Sequence, residues 1–425
     1  MTSRSQQATI PGEAMIPIAA RERVELIDVL RGFALSGVML ANLPLFSGDV
    51  YLTPEQQQAF PTATMDAWVR AFLQLFVESK FIGLFSILFG LGFSVQLSRA
   101  TARAAPFRSI FLRRVGWLFV IGAVHGWLFW CWDILRFYAL WGLLLPFFIR
   151  SKSRTILLWG IAASVVIPTI WGHLLGLWPW PGIFSSMDRS LNARALHAFS
   201  SSSYLDVLHL NWEYDWKLNT APTQGAYQIA VFGRFLLGFW LGRKLLLQNP
   251  AAHIPFFRRC LGVGLAVGLV GNILFAASSE GGPHGIPAWL SSLDFPNQLG
   301  FLGFTAFYAS TIVLLYQVPK WRERLGILAP FGRMALTNYL SQTAIGLFLF
   351  YGFLPGPHFM GKFGPSLLIP IWAVVLPTQI ALSRIWLRHY RFGPAEWLWR
   401  SLTYGKMQPM RIGMRAEPQS LPSPE

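Results

Sequence analysis

The chain has 425 residues, 53% of them hydrophobic and only 13% charged, with 35 Phe and 19 Trp. That little charge cannot cover the surface of a soluble protein of this size, so the composition points to a polytopic membrane protein whose outer face meets lipid. The net charge of +16 sits in short clusters between apolar runs, which is the pattern of membrane topology and argues against nucleic acid as a partner.

A polar stretch of about twenty residues precedes the first apolar run. No small-residue cleavage site follows a short apolar core, so the first span reads as a retained anchor. A helix needs about 20 apolar residues to cross the hydrocarbon core. Ten segments qualify, at roughly 26–46, 69–97, 113–131, 134–150, 154–178, 226–247, 258–277, 297–317, 333–354 and 366–388. The expected fold class is therefore all-α, a membrane helix bundle. Its organisation reads as a disordered tail (1–22), a five-helix half (23–178), a large outer connection (179–225), a second five-helix half (226–406) and a disordered tail (407–425).

Lys and Arg collect in alternate connections: Arg21 and Arg23; Arg99 to Arg114; Arg150, Lys152 and Arg154; Arg243 to Arg259; Lys320 to Arg324; and Arg384 to Arg391. The other connections hold mostly acids, among them Asp49, Asp66, Asp133, Asp206, Asp215, Glu280 and Asp294. The positive-inside rule then places both termini in the cytoplasm. Cys131 and Cys260 fall on opposite sides, so no disulfide is expected, and no His/Cys spacing suits a metal. The outer connection, with its "NWEYDWKLN" stretch, is long enough for a lid or recognition loop, or it is a solvated loop with interfacial Trp. After the last span, "RFGPAEWLWRSLTYGK" fits an amphipathic segment on the inner surface.

A charge within a span is costly and usually faces a partner or a cavity. Asp28 and Arg31 are neighbours at i,i+3 near the inner end of span one, and a structural pair is the simpler reading. Glu78 and Lys80 lie in the outer half of span two, two residues apart, so each needs a partner on another helix. Arg136 opens span four; with Asp133 it either caps the tight turn after span three or belongs to a site. In "HGWLFWCWDIL", His125 and Asp133 flank a Trp-rich turn that includes Trp130. A carboxylate beside an imidazole orients it as a general base, although a lone membrane His is also commonly just bonded to a neighbouring helix. Arg234 needs a carboxylate such as Glu78, or a bound anionic ligand. Asn338, Tyr339 and Gln342 extend a polar path along span nine.

The stretches "IDVLRGFALSGVMLAN" (27–42), "FVESKFIGLFSILFGLGF" (76–93), "HGWLFWCWDIL" (125–135), "FGRMALTNYLSQT" (331–343) and "FGPAEWLWRSLTYGK" (392–406) resemble the DUF418 (YeiB-like) family of bacterial membrane proteins. More distantly, Asp28, Arg31-Gly32 and Asn42 resemble the first span of the transmembrane acyltransferase superfamily, which includes the acyltransferase-3 proteins and the lysosomal heparan-glucosaminide N-acetyltransferase. In the glucosaminide enzyme the matching Asn belongs to the acetyl-transfer site. Where that enzyme carries its proposed catalytic His, this chain has Thr53, so proton transfer would pass to His125.

Three functions are open on this reading. In acyl transfer, an acyl-CoA enters from the cytoplasm as donor, with no tightly bound cofactor. His125 activates the acceptor, Asp133 orients it, and Asn42 donates to the developing oxyanion. Glu78, Lys80, Arg136, Arg234, Trp130 and Asn338 line the substrates, and the acceptor is an envelope glycan, lipid or exported metabolite. In transport, the same ionisable groups form a permeation path. In a scaffold role, they pair internally. Membrane lipid is a partner in all three.

Overall fold

The structure, a computed structural model, describes residues 24–104, 106–174, 189–220, 222–278 and 295–412. The expected tail 1–22 lies outside these residues, as do 179–188 of the expected outer connection, Glu280, and the last thirteen residues of the chain. Among the described residues no β-strand forms, and the architecture is all-helical.

Eighteen helices occur in the described residues: α1 Glu25–Ser47, α2 Pro54–Gln58, α3 Ala63–Phe76, α4 Lys80–Ala102, α5 Phe107–Val124, α6 Leu135–Gly142, α7 Ser153–Ile161, α8 Ile167–Leu174, α9 Arg189–Ser200, α10 Tyr204–Thr220, α11 Pro222–Arg243, α12 Ile254–Ser278, α13 Phe295–Tyr316, α14 Pro319–Gly326, α15 Leu328–Arg333, α16 Ala335–Phe350, α17 Leu368–His389 and α18 Pro394–Tyr404. Two π-helical turns, His125–Phe129 and Ala162–Val166, interrupt the regular pattern.

Among the described residues six stretches are long and apolar enough to cross a membrane: Glu25–Ser47, Ala63–Ala102, Ser153–Trp171, Pro250–Phe275, Asn297–Tyr316 and Pro365–His389. The other four expected spans coincide with helices that are shorter or more polar. Pro146 falls where α6 has given way to a 3-10 turn, and α16 has 16 residues. α5 carries Arg108, Arg113 and Arg114, and α11 carries Arg234 and Arg243. Length and composition therefore mark six of the ten expected spans among the described residues.

Helix α1 is the organising element. Seventeen of its 23 residues are buried, and it packs against α4, α15, α16 and α17. Its closest approach is to α15. A Cβ at Gly332 would run into the Asp28 carbonyl, and one at Gly32 would lie 2.5 Å from the Leu328 carbonyl oxygen. Glycine at both positions lets the two backbones touch. The stretches "IDVLRG" and "FGRMALTNYL" thus meet in space, some 300 residues apart in sequence. α4 and α11 approach in the same manner through Gly90 and Gly238.

Span two is not continuous. α3 ends at Phe76 and α4 begins at Lys80, with Ser79 between them at φ +65°, a left-handed conformation that costs a non-glycine residue free energy. Glu78 and Lys80 therefore flank a helix break instead of lying along one helix, which corrects the expectation of an unbroken span. Buried Lys80 reaches back, and its Nζ donates to the Gln74 carbonyl at 2.5 Å, an acceptor left free in the last turn of α3. The ammonium also lies 4.8 Å from the Phe301 ring centroid.

The outer connection is helical where it is described, as α9 and α10, and these dock onto the bundle. Arg194 and Glu213 join the two helices through bonds of 2.7 and 2.6 Å. On the opposite end, residues 407–412 are not a free tail. Arg391 N donates to the Met410 carbonyl at 2.9 Å and Ile412 N to that of His389 at 3.1 Å. α18 is amphipathic and packs on α5 and α16, with Trp399 Nε1 donating to the Arg114 carbonyl at 2.8 Å.

Glu396 of α18 supplies the cap that α16 lacks locally. Its carboxylate accepts from Leu336 N at 2.7 Å, Thr337 N at 3.2 Å and Thr337 Oγ1 at 2.6 Å. The negative group faces the positive end of the helix that carries Asn338, Tyr339 and Thr343. We predict that Glu396→Ala, which leaves buried N–H groups without an acceptor, costs about 1–3 kcal/mol, read as a lowered Tm in detergent. Burial, the largest influence, pushes the Glu396 carboxyl above the usual glutamate range, against the pull of its hydrogen bonds. Its stabilising contribution is then fully present below the ordinary glutamate pKa and is lost as pH rises through the raised value. Relative to Glu396→Gln, which does not titrate, the wild type is expected to lose Tm as the pH climbs out of the acidic range.

Candidate functional site

The site forms where α5 ends. Between His125 and Phe129 the helix widens into a π turn, closed by Trp130 N donating to the His125 carbonyl at 2.9 Å. Such widenings re-aim side chains and are frequent at functional sites. The chain then reverses through Cys131–Ile134 into α6. Gly122 of α5 and Gly126 of the π turn make room for the returning turn: a Cβ at Gly122 would lie 2.9 Å from Asp133 Oδ2, and one at Gly126 would lie 3.3 Å from Asp133 Cβ.

Asp133 has two tasks. Its Oδ1 lies 2.8 Å from His125 Nδ1, and its Oδ2 accepts from Arg136 N at 3.0 Å. The second bond caps the start of α6, as the turn-capping reading of Asp133 expects. The other imidazole nitrogen, Nε2, lies 3.0 Å from Thr343 Oγ1 on α16. All three side chains are buried. A carboxylate at Nδ1 favours the tautomer in which Nδ1 donates, and that tautomer turns Nε2 as an acceptor toward the Thr343 hydroxyl. Tyr339, one turn before Thr343, lies with its ring 5.4 Å from the imidazole.

Trp130 is buried against this group. Its ring stacks on Phe46 of α1 at 4.2 Å and lies 6.4 Å from the imidazole centroid, and its Nε1 has no hydrogen-bond partner. Asn42 sits one helical turn before Phe46 on α1 and is half-buried. Among the described residues no hydrogen bond joins Asn42 to His125, Asp133 or Thr343.

Arg136 does not use its guanidinium on Asp133. It makes a bidentate pair with Asp215 of α10, Nη1 to Oδ2 at 2.7 Å and Nη2 to Oδ1. Asp215 Oδ2 also accepts from Trp127 Nε1 at 2.9 Å, and Trp127 stacks on Trp212 at 4.8 Å. Tyr204 Oη donates to the Leu128 carbonyl at 2.8 Å. The π turn is thus clamped from one side by α10, part of the stretch that sequence alone reads as a connection. Sequence reasoning missed Asp215 as the partner of Arg136, although the aromatic-acidic "NWEYDWKLN" was its visible signal. It also missed Thr343, because a hydroxyl in an apolar helix ordinarily bonds its own preceding carbonyl and attracts no notice.

The remaining expected site residues lie apart from the imidazole. Asp28 and Arg31 form an ion pair at 3.0 Å in the first turns of α1. Asn338 Nδ2 donates to Ser383 Oγ at 2.9 Å and to the Phe331 carbonyl at 3.0 Å, tying α16 to α17. Glu78 has Lys80 as its charged neighbour, not Arg234, so the Glu78–Arg234 pair does not form. Thr53 forms a capping box with Gln56 at the start of α2. With Tyr51, Gln56, His197 and Ser200 it lines a cleft of about 360 Å³ between α2 and α9. Tyr51 Oη accepts from Trp132 Nε1 at 3.0 Å, which links that cleft to the residue next to Asp133.

Among the described residues no group of three His, Cys, Asp or Glu side chains suits a metal ion. The fold and site together define a multi-pass helical membrane protein with a buried, hydrogen-bonded Asp–His–Thr group at the end of one helix. The profile of the DUF418 family, described as a protein of unknown function, matches residues 241–406. The chain is 32% identical over 420 residues to the uncharacterized protein YxaH of Bacillus subtilis (strain 168), covering 93% of this chain and 97% of that one. It is 30% identical over 411 residues to an uncharacterized 39.9 kDa protein in the amylase 3' region of Bacillus acidopullulyticus, covering 95% and 100%. To the uncharacterized protein YeiB of Escherichia coli (strain K12) it is 31% identical over 402 residues, covering 90% and 96%. The chain belongs to the DUF418 family.

Removing one partner of a buried ion pair leaves the other charge uncompensated. Asp215→Asn is therefore expected to cost about 3–5 kcal/mol, while the double substitution Arg136→Met with Asp215→Leu recovers most of that loss. Equal destabilisation in the single and double variants, measured by Tm in detergent, would show that the pair does not hold α10 to the π turn.

Proposed function

We propose that this protein is a transmembrane acyltransferase that moves an acyl group from cytoplasmic acyl-CoA to an extracytoplasmic acceptor in the envelope, a glycan, lipid or exported metabolite. The observation that carries the reading is His125, buried between the Asp133 carboxylate and the Thr343 hydroxyl. A neutral imidazole with its Nδ1 proton fixed on a carboxylate has Nε2 free to take a proton from a hydroxyl or amine. In this mechanism the acceptor group takes the place of the Thr343 hydroxyl at Nε2, loses its proton to His125 and attacks the thioester carbonyl. The imidazolium, stabilised by Asp133, then returns the proton to the leaving thiolate. The Trp130 N–H, which has no other partner, donates to the developing oxyanion. The cleft beside Tyr51 and His197 receives the acceptor.

The alternation of basic and acidic connections supports an orientation with both termini in the cytoplasm of a bacterial inner membrane. A second reading, transport of a small polar or anionic substrate, draws support from the break in span two, with Lys80 and Glu78 at its edges. A scaffold role fits less well, since buried donors on Trp130 and Arg234 are left without protein partners.

The purified protein in detergent is expected to show saturable thermal stabilisation by acetyl-CoA or a longer acyl-CoA, above that given by CoA-free nucleotide. His125→Ala should retain that binding and its fold, while acyl transfer falls by at least about a hundredfold, the usual scale of a general base. No stabilisation by any acyl-CoA, or near-normal turnover by the variant, contradicts the proposal.

A further inference from the structure

Arg234, near the middle of α11, is 1% exposed, yet it forms no ion pair with any described carboxylate, and its Nε and Nη1 have no hydrogen-bond partner. The other buried cations are matched. Arg136 has Asp215, and Lys80 has Glu78 and the Gln74 carbonyl. The surroundings of Arg234 are polar but supply no charge. The hydroxyls of Tyr227 and Tyr138 are its titratable neighbours, and Tyr138 Oη is already bonded to Ser86 Oγ at 2.6 Å. Across from it, α4 presents Gly83, where a Cβ would lie 3.6 Å from Arg234 Nε and 2.8 Å from Thr305 Oγ1. Glycine at 83 thus lets Thr305 come close to α4, while the guanidinium side chain lies at ordinary contact distance from the same point.

A guanidinium cannot shed its proton here, and in hydrocarbon an uncompensated charge is among the costliest groups a fold can hold. One counter-charge of matching shape removes that cost. From this we infer that Arg234 is an anion site, one that takes the carboxylate group of a small organic acid between α4, α11 and α13, separate from His125. A carboxylate fits better than phosphate on two grounds: a single guanidinium offers one positive charge, and its planar fork matches a planar monoanion. The inference stands whether or not the protein transfers acyl groups.

The test uses full-length protein in a non-ionic detergent, with sodium acetate and sodium butyrate as soluble probes and laurate in the micelle as the lipid-borne one. Phosphate is run at matched ionic strength. Wild type is expected to gain Tm saturably with a carboxylate, and Arg234→Gln to show none of that gain. Arg234→Lys keeps the charge but loses the fork, and is expected to need several-fold more ligand. Response to the soluble acids identifies a metabolite-like ligand, and response to laurate alone identifies a fatty acid headgroup; either supports the site. If Arg234→Gln does not fold, Tyr227→Phe, which removes one polar neighbour, must weaken the response. Identical responses in wild type and all variants, phosphate binding in place of carboxylate, or an Arg234→Gln protein more stable than wild type with no anion response in either would overturn it.

Discussion

The bond between the Asp133 carboxylate and the His125 imidazole sets the geometry of the rest. One oxygen holds the imidazole and the other caps α6, so the carboxylate that orients the ring is itself fixed by the helix that follows. In a dry interior such a carboxylate needs every one of its bonds, because each unmade one costs far more than in water. The surrounding elements serve this demand. Gly122 and Gly126 give the turn space, and the π turn shifts the ring into register. α10 neutralises Arg136 through Asp215, so that Asp133 is not drawn away from the imidazole. α16 meets the free nitrogen with Thr343, and α18 holds α16 in place through Glu396.

Much of the fold was legible in sequence because a bilayer admits few alternatives. Apolar runs of sufficient length marked the helices, and the helix break in span two is the main departure. Residues 76–93 read as a continuous apolar stretch, yet Ser79 turns left-handed so that Lys80 can reach the end of α3. Hydropathy sees the apolar content on both sides of that break and not the conformation between them. The helices within the outer connection escaped notice for the converse reason. Its mixed composition lacks the apolar run of a span, but α9 and α10 are stabilised by specific pairs, Arg194 with Glu213 and Asp215 with Arg136.

The site was half visible. His125 and Asp133 stand eight residues apart across a Trp-rich turn, and a short reversal brings such positions together. Arg136 and Arg234 were equally visible as charges in apolar surroundings, but their fates differ, and no local pattern tells them apart. Arg136 finds its carboxylate 79 residues away, while Arg234 finds none among the described residues. Thr343 was silent because its partner lies 218 residues away and a threonine in a helix carries no signature. Asn42, by contrast, was singled out from resemblance. It lies one turn from Phe46, and the donor stacked on that ring is Trp130.

The central claim is that Asp133 holds the His125 proton on Nδ1 and leaves Nε2 open toward Thr343. It is tested most directly by nitrogen-15 NMR of the protein labelled at its 8 histidines, in lipid nanodiscs, with His125 assigned by its loss in His125→Gln. At neutral pH the account predicts a neutral ring with a protonated Nδ1 and an unprotonated Nε2, and a switch of tautomer or ring mobility in Asp133→Asn. A His125 with its proton on Nε2, unchanged by Asp133→Asn, would contradict it.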